Sequence, residues 1–383
     1  MSWFLAGASA AALVLWGSAA WAGIIRGYRV PFLSNLPVPR GPEPRVSIVV
    51  AARNEEEKLG ECLLRLLRLE GLDLQLIAVD DRSDDGTGRI IDELAAADPR
   101  THPVHITRLP EGWLGKNNAL HRGAQQADGE WLLFTDGDVM LKPLSVAKAV
   151  GYAEKEGLDH LTASPRLQMP GVLTNLFAGT FALLFAGYSR PWNARNPNSD
   201  SHVGIGAFNL VRRETYDAVG GHAPIRLRPD DDMMLGKLVK KSGYTQDLVH
   251  GQGEISVEWY ASLREAIHGL EKNAFAGMGY SLPRAIVSCT LLLFLIVGPY
   301  LGLFSTSVVV FWMSLLSVTL MTILYAGSTT VSGTKMWLCL LLPLGGILMF
   351  YVLLRASLLT VVRGGINWRG TTYSLEQLRS NRL

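Results

Sequence analysis

Three long stretches of this 383-residue chain carry no charged side chain: residues 1–25, 285–334 and 336–354. A helix needs about 20 apolar residues to cross the hydrocarbon core of a bilayer, and only helices and closed barrels cross it with their backbone groups satisfied. The stretches therefore predict about four crossings, at residues 3–25, 285–305, 306–326 and 336–360. Ala20-Trp21-Ala22 has the small-x-small look of a signal-peptide cleavage site. No basic residue precedes it, however, and Arg26, Arg29, Arg40 and Arg45 follow. That charge order favours an uncleaved anchor, with the next domain in the cytoplasm and the chain in the inner membrane.

The other end is ambiguous. Three crossings after a cytoplasmic domain would put the tail outside, whereas Arg363, Arg369, Arg379 and Arg382 favour the inside, and Arg355 interrupts the last apolar run. Either one segment is re-entrant or interfacial, or the charge rule is broken here. Residues 172–188 are uncharged too, but 17 residues are short for a crossing and read as a core or interface-lying helix. Residues 259–280 mix aromatic, apolar and basic residues at helical spacing, as an amphipathic helix lying among lipid headgroups does. The net charge of +2 gives no sign of a nucleic-acid partner. The three cysteines, Cys62, Cys289 and Cys339, show no metal-site or disulfide spacing, as expected in a reducing compartment.

Between the apolar ends the pattern changes. Pro31, Pro37, Pro39, Pro42 and Pro44 mark residues 30–45 as an extended linker. From Val46 short apolar runs alternate with helical periodicity. Strands are predicted at 46–52, 74–80, 103–109 and 130–136, and helices at 55–69, after Gly86-Thr87 and at 116–127. This order implies an α/β domain with a mostly parallel sheet covered on both faces, whose ligands bind beyond the carboxyl ends of the strands. The expected division is an anchor at 1–29, the linker at 30–45, the α/β domain at 46–258, an amphipathic helix at 259–283, a membrane block at 284–362 and a basic tail at 363–383.

Three acidic clusters fall where such a domain binds ligands. In FTDGDV (134–139) Asp136 and Asp138 stand two positions apart at a strand end. Such a pair can hold one divalent cation against a diphosphate, and oxygen ligands suit Mg²⁺ or Mn²⁺. Asp138 is the candidate metal ligand, and Asp136 a further ligand, a ribose contact or a support. In VDDRSDDGT (79–87) the chain leaves a buried strand and turns into a helix. Asp84 or Asp85 fits a helix cap there, leaving Asp80 or Asp81 to accept from a nucleobase N–H or a ribose hydroxyl. Asn54 and Glu55 in ARNEEE (52–57) read equally as a helix cap or as site residues. Lys116 in GWLGKNNAL (112–120) reads as a phosphate contact at a helix start or as a solvated surface lysine. In PDDDMMLG (229–236) adjacent carboxylates repel, which raises one pKa and makes a proton acceptor. Asp232 is in register with Leu235 and Leu238 and is the candidate base, with Asp231 and Asp230 as capping residues or alternatives.

The three clusters in this order resemble the family 2 glycosyltransferases, inverting enzymes of GT-A fold, from about Val46 to Tyr280. VDDRSDDGT looks like that family's nucleotide-binding strand end, and FTDGDV like its metal-binding D-x-D. Asp231-Asp232 falls where the family has Glu-Asp with the second residue as base, and GAFNLVRRETYDAVGGH (206–222) is similar to the segment before it. The resemblance implies a nucleotide-sugar donor, UDP- or GDP-linked, and a divalent cation. Its processive members carry Q/R-x-x-R-W after the base; here Trp259-Tyr260 has no matching arginine, which favours transfer of a single sugar. The membrane layout, with GLEKNAFAG and the closing NWRGTTY, is similar to ceramide glucosyltransferases and to bacterial hopanoid- and carotenoid-associated transferases, which implies a membrane lipid acceptor that the amphipathic helix would meet at headgroup height. The alternatives are a processive polysaccharide synthase and an inactive GT-A membrane scaffold. A nicotinamide-dependent oxidoreductase is disfavoured, because Val50-Ala51-Ala52-Arg53 stands where a G-x-G-x-x-G would follow the first strand.

Overall fold

A computed structural model describes residues 2–27 and 29–381; Arg382, the last of the tail arginines, lies outside them. The chain divides into two compact units. The first comprises Val30–Arg166, Arg190–Glu258 and the C-terminal end from Asn381. Its strands are β1 (Arg45–Ala52), β2 (Asp73–Asp81), β3 (Thr101–Ile106), β4 (Trp131–Thr135), β5 (Val139–Leu141), β6 (His160–Ser164), the first residue of β7 (Arg166–Gln168), β8 (Asn209–Arg212), β9 (Gln246–His250) and β10 (Ile255–Glu258). Seven of them form one sheet in the order β3-β2-β1-β4-β8-β6-β9, with β8 alone running antiparallel to its neighbours. Val46, Ile48, Val49 and Val50 of β1 are fully buried, as a strand covered on both faces requires. Pro103 has no N–H to give, and β3 tolerates it because β3 is the sheet edge.

The register positions the site. Ala52 lies opposite Asp80, and Val50 opposite Thr135. The loops after β1, β2 and β4 therefore leave the sheet at the same edge. After Asp138 the chain is held again, as β5 pairs antiparallel with β10 (Val139 opposite Val257).

The predicted elements are present with altered bounds. The helix expected at 55–69 is only Leu59–Leu66, because Asn54–Lys58 form a loop in which the Glu55 carbonyl accepts from the Lys58 and Leu59 N–H groups. The proline-rich linker is partly docked: Leu33 is fully buried, and the His250 N–H donates to the Pro31 carbonyl (2.8 Å).

The second unit comprises residues to Arg29, Leu167–Ser189 and Trp259–Ser380. Among the described residues four helical stretches are long and apolar enough to cross a membrane, and they lie in this unit but for the last residues of the second: Leu5–Gly27, Val172–Asn193, Val308–Ser332 and Met336–Val362. One expectation is corrected here. The stretch from 172 is 22 residues long: its α-helix runs Val172–Ser189, and after Arg190 in left-handed conformation a short helical turn, Pro191–Asn193, completes it. The stretch 285–305, expected as a crossing, is helical over most of its length and belongs to a sharply bent helix pair. Its helix Leu282–Ile296 is followed, after Val297 in helical conformation, by a further turn Gly298–Gly302, so helical structure runs from 282 to 302. It meets helix Leu263–Gly277 at 113° through Gly279 and Tyr280, both at positive φ.

The amphipathic stretch forms helix Leu263–Gly277. The Ser262 hydroxyl accepts from the Glu265 N–H (3.2 Å), and the Glu265 carboxylate reaches back to the Ala261 N–H (3.0 Å). Arg355 is not an isolated charge, since it pairs with Glu271 on this helix. The basic tail folds into a hairpin, Gly365–Trp368 with Thr371–Ser374, followed by helix Leu375–Ser380.

Candidate active site

The loops after β1 and β2 are laced together. Asn54, at φ 54°, accepts from the Asp84 N–H (2.9 Å), and its own N–H donates to the Ser83 hydroxyl (3.0 Å). The Glu55 N–H donates to Thr87, and Glu56 accepts from the Gly86 N–H (2.7 Å). The helix that begins at Thr87 has Gly86 at its cap position, and Asp85, one residue earlier, accepts from the Thr87 N–H (3.0 Å). Neither Asn54 nor Glu55 caps the helix Leu59–Leu66 with its side chain, since that helix begins after Lys58. Asn54 instead clamps one loop to the other.

Asp80 and Asp81 leave β2 with different partners. Asp80 accepts from the Ser83 N–H (3.1 Å) and lies 3.5 Å from His105. Asp81 is buried and holds the Arg82 guanidinium through two hydrogen bonds, 2.8 and 3.0 Å. A Cβ on Gly115 would fall 2.4 Å from Asp81 Oδ2, so the helix Gly115–Ala124 starts directly against this carboxylate. Asn117 fixes that start, donating to the carbonyls of Ile225 and Arg228 (2.8 and 2.9 Å).

Lys116 is the hub. Its ammonium lies 2.8 Å from Asp136 Oδ1 and 3.7 Å from Asp231 Oδ2. It is neither a solvated surface lysine nor free for a phosphate alone. Burial by itself would lower its pKa, but the charges of Asp136, Asp231 and Asp232 outweigh that and raise it.

The Asp231–Lys241 helix brings the third cluster. Asp230, just before it, is neutralised by Arg228 through two hydrogen bonds (2.8 and 2.6 Å). Asp231 is buried beside Lys116. Asp232 accepts from the Gly206 N–H and from the Met233 N–H, each at 2.8 Å. A Cβ on Gly206 would fall 2.9 Å from Asp136 Oδ2 and 3.5 Å from Asp232 Oδ2, so both carboxylates face the same point. Burial first, and then the Asp231 charge, push the Asp232 carboxyl well above the carboxylate range. Segment 203–206 crosses this helix so closely that a Cβ on Gly204 would sit 1.9 Å from the Asp232 carbonyl oxygen. Gly204→Ala is therefore expected to destabilise the protein by about 1–3 kcal/mol. Equilibrium denaturation of the purified variant checks this; an unchanged midpoint would contradict the close crossing.

Asp138 is exposed at the D-x-D turn. Partial desolvation there, then the neighbouring Asp136 and Glu55 charges, push it up to about 6. Among the described residues, no three or more His, Cys, Asp or Glu are grouped to hold a metal unaided. A D-x-D in which the Asp136 charge lifts the proton affinity of Asp138 still fits a hard divalent cation that takes one or two protein oxygens and the rest from phosphates.

Residues 47–220 match the model of a family described as glycosyl transferase family 2. The chain carries a glycosyl transferase family 2 domain. Among curated proteins, it is 24% identical over 245 residues to the 4,4'-diaponeurosporenoate glycosyltransferase of Staphylococcus haemolyticus, covering 63% of this chain and 64% of that protein. The chain thus spans slightly less than two thirds of that relative's length. The Staphylococcus aureus (strain USA300) protein of the same name is 22% identical over 261 residues, 67% of this chain and 68% of its own. Among solved structures, the fold is similar to a mannosyltransferase from Pyrobaculum calidifontis in complex with GDP-Man and Mn²⁺, with a TM-score of 0.53 and 16% identity over 94% of this chain and 99% of that one.

The family 2 match contains Asn54, Glu55, Asp80, Asp81, Lys116, Asp136 and Asp138 but ends before Asp231 and Asp232. Geometry alone joins the last two to the rest, through Lys116 and Gly206. The site also contains residues that the sequence reading passed over: Arg82, Gly115, Gly204 and Arg228. The paired glycines of Gly204-Ile205-Gly206 were the available signal for the close crossing; the others announce themselves only through contacts distant in sequence.

Proposed function

We propose that this protein transfers one sugar from a UDP- or GDP-sugar to a membrane lipid, with inversion at the anomeric carbon. The observation that carries this is the convergence of Asp136, Asp231 and Asp232 on Lys116 and Gly206 at the edge of a family 2 domain. Asp80 and Asp81 would face the nucleoside, with Asn54 and Glu55 shaping the loop beside it. Asp138, aided by Asp136, would hold Mg²⁺ or Mn²⁺. When bound, the cation offsets the negative charge that grows on the departing diphosphate.

The chain's own groups account for the remaining steps. The acceptor hydroxyl loses its proton to Asp232 as its oxygen bonds to the anomeric carbon, while the bond from that carbon to the diphosphate oxygen breaks on the opposite side. The nucleoside diphosphate leaves. Lys116 keeps Asp136 and Asp231 oriented, and its charge partly offsets the burial and the Asp231 charge that raise the Asp232 pKa. The acceptor class is drawn from the relatives, whose name specifies a long apolar carotenoid-type acid. The four long apolar helices support a multi-pass protein, and Arg26, Arg29, Arg40 and Arg45 support a cytoplasmic, inner-membrane orientation for the family 2 domain.

The test is sugar transfer by the purified full chain to membrane lipid extracts, from each of a panel of labelled UDP- and GDP-sugars. The expected product is a lipid bearing one sugar. Chelation should abolish its formation, and Mn²⁺ or Mg²⁺ should restore it. A ladder of sugar lengths would show a processive synthase instead. Nucleotide binding with no donor consumption would show an inactive scaffold, and full activity in chelator would remove the cation from the scheme.

A further inference from the structure

Two stretches singled out in the sequence, GLEKNAFAG and NWRGTTY, play no part in the transfer chemistry. They come together in the helical unit. His268, Glu271 and Lys272 of helix Leu263–Gly277, Arg363 after helix Leu342–Val362, and Asn367 and Trp368 of the hairpin line one cavity of about 180 Å³. Its charge is unbalanced. Glu271 is shared by Arg355 and Arg363, the latter at 3.3 Å, and the Lys272 ammonium lies 4.2 Å from the centre of the Trp368 ring. Of the charged lining residues one is a carboxylate and two are cations, and that carboxylate is shared with Arg355 as well.

The cavity lies where apolar surface stops. Leu358 and Val362 are exposed, Val362 by 82%, and the next residue is Arg363. An apolar helix that ends in arginine, beside an amphipathic helix and a tryptophan, marks the boundary between hydrocarbon and headgroups. The volume equals about six waters in the liquid. It is below the ~300 Å³ at which small-molecule pockets begin, so a whole nucleotide-sugar is too large and a phosphate-sized group is not.

We propose that this cavity holds the phosphate of an anionic membrane lipid, with Lys272 and Arg363 as its cationic contacts and the Asn367 amide as a neutral donor. The inference rests on the reading that the apolar helices lie in a bilayer. It does not depend on which sugar the family 2 domain moves.

The test reconstitutes the full chain in phosphatidylcholine vesicles with and without phosphatidylglycerol, then counts lipids retained on the protein by native mass spectrometry. The wild type is expected to retain phosphatidylglycerol in preference to phosphatidylcholine. Lys272→Gln and Arg363→Gln should each weaken retention about five-fold, the effect of one basic charge near a membrane surface. Asn367→Asp, which leaves the ion pairs intact, should do the same, guarding against a fold defect. Arg264→Gln removes a charge from the same helix outside the cavity and should change nothing.

Equal losses from Arg264→Gln would reduce the effect to diffuse surface attraction and overturn the site. So would the absence of any preference for phosphatidylglycerol. Displacement of the lipid by millimolar inorganic phosphate would make it a soluble-phosphate site and overturn the lipid assignment. A wild type that fails to insert at all would instead refute the bilayer reading, and insertion is scored separately by flotation.

Discussion

Asp232→Asn is expected to lower kcat by about 10²–10⁴-fold, the range for loss of a positioned general base. Donor binding should be nearly unchanged, because the residues proposed to face the nucleoside lie at the end of β2 and after β1 rather than on the Asp231–Lys241 helix. Asp231→Asn should cost less, since Asp231 is turned toward Lys116 whereas Asp232 lies against Gly206 at the point it shares with Asp136. Steady-state kinetics with donor and acceptor varied separately makes the measurement. A loss larger for Asp231→Asn than for Asp232→Asn would move the base by one residue. A loss below ten-fold would remove Asp232 as a base, as expected if the acceptor reacts through a carboxylate already ionised at neutral pH.

The same variant tests the electrostatics. The Asp232 carboxyl is held above its ordinary value of 3.8 by burial and by Asp231. A base must be deprotonated to act, so wild-type kcat/KM should rise with pH through that raised pKa and level off above it. The folded state also binds a proton there that the unfolded chain has already lost. Relative to the asparagine variant, wild-type stability should therefore be greatest below about pH 4 and fall as pH rises from 3.8 to the raised value. Thermal melts of both proteins across that window give the difference directly. A difference independent of pH would mean that Asp232 titrates normally.

Much of the sheet was legible because its signal is local. β1, β2 and β4 are short apolar runs that end in turn and acidic residues, and a strand covered on both faces has to be written that way. The partners of the site residues were less legible. Lys116 and Asp231 are more than a hundred positions apart, and the segment that joins them to Asp136 depends on Gly204 and Gly206, whose value is the side chain they lack. Cap assignments fared unevenly for the same reason. Asp85 bonds two residues onward, within reach of a sequence pattern, while Asn54 bonds 30 residues away.

Counting charge-free runs located three of the four long apolar helices. The run at 285–305 is helical too, but the turn at Gly279 and Tyr280 bends it sharply from the helix before it, and at 172 the α-helix runs to Ser189 before Arg190 takes a left-handed conformation. Apolar composition sets what can enter a membrane; backbone breakers decide how far each helix runs.

Lys116→Met should be the most disruptive single change for stability near the site. The side chain is about the same length, so the change is mainly the charge. Without the ammonium, Asp136, Asp231 and Asp232 face one another with no cation between them, and removing one partner of a buried ion pair costs about 3–5 kcal/mol. Because the side chain retains some exposure, the lower figure is expected. The carboxylates will relieve the repulsion by taking up protons, so the acidic limb of kcat/KM should move to higher pH, and the variant should recover stability on acidification. Adding Asp136→Asn removes one of the uncompensated charges. The double variant should therefore be more stable than the sum of the two single changes predicts, by about 0.5–3 kcal/mol, the usual coupling for residues in one ionic network. Denaturant titration of the four proteins closes the cycle. Strict additivity would show that Lys116 and Asp136 do not act on each other in solution, and the convergence of carboxylates on this lysine would then not describe the working site.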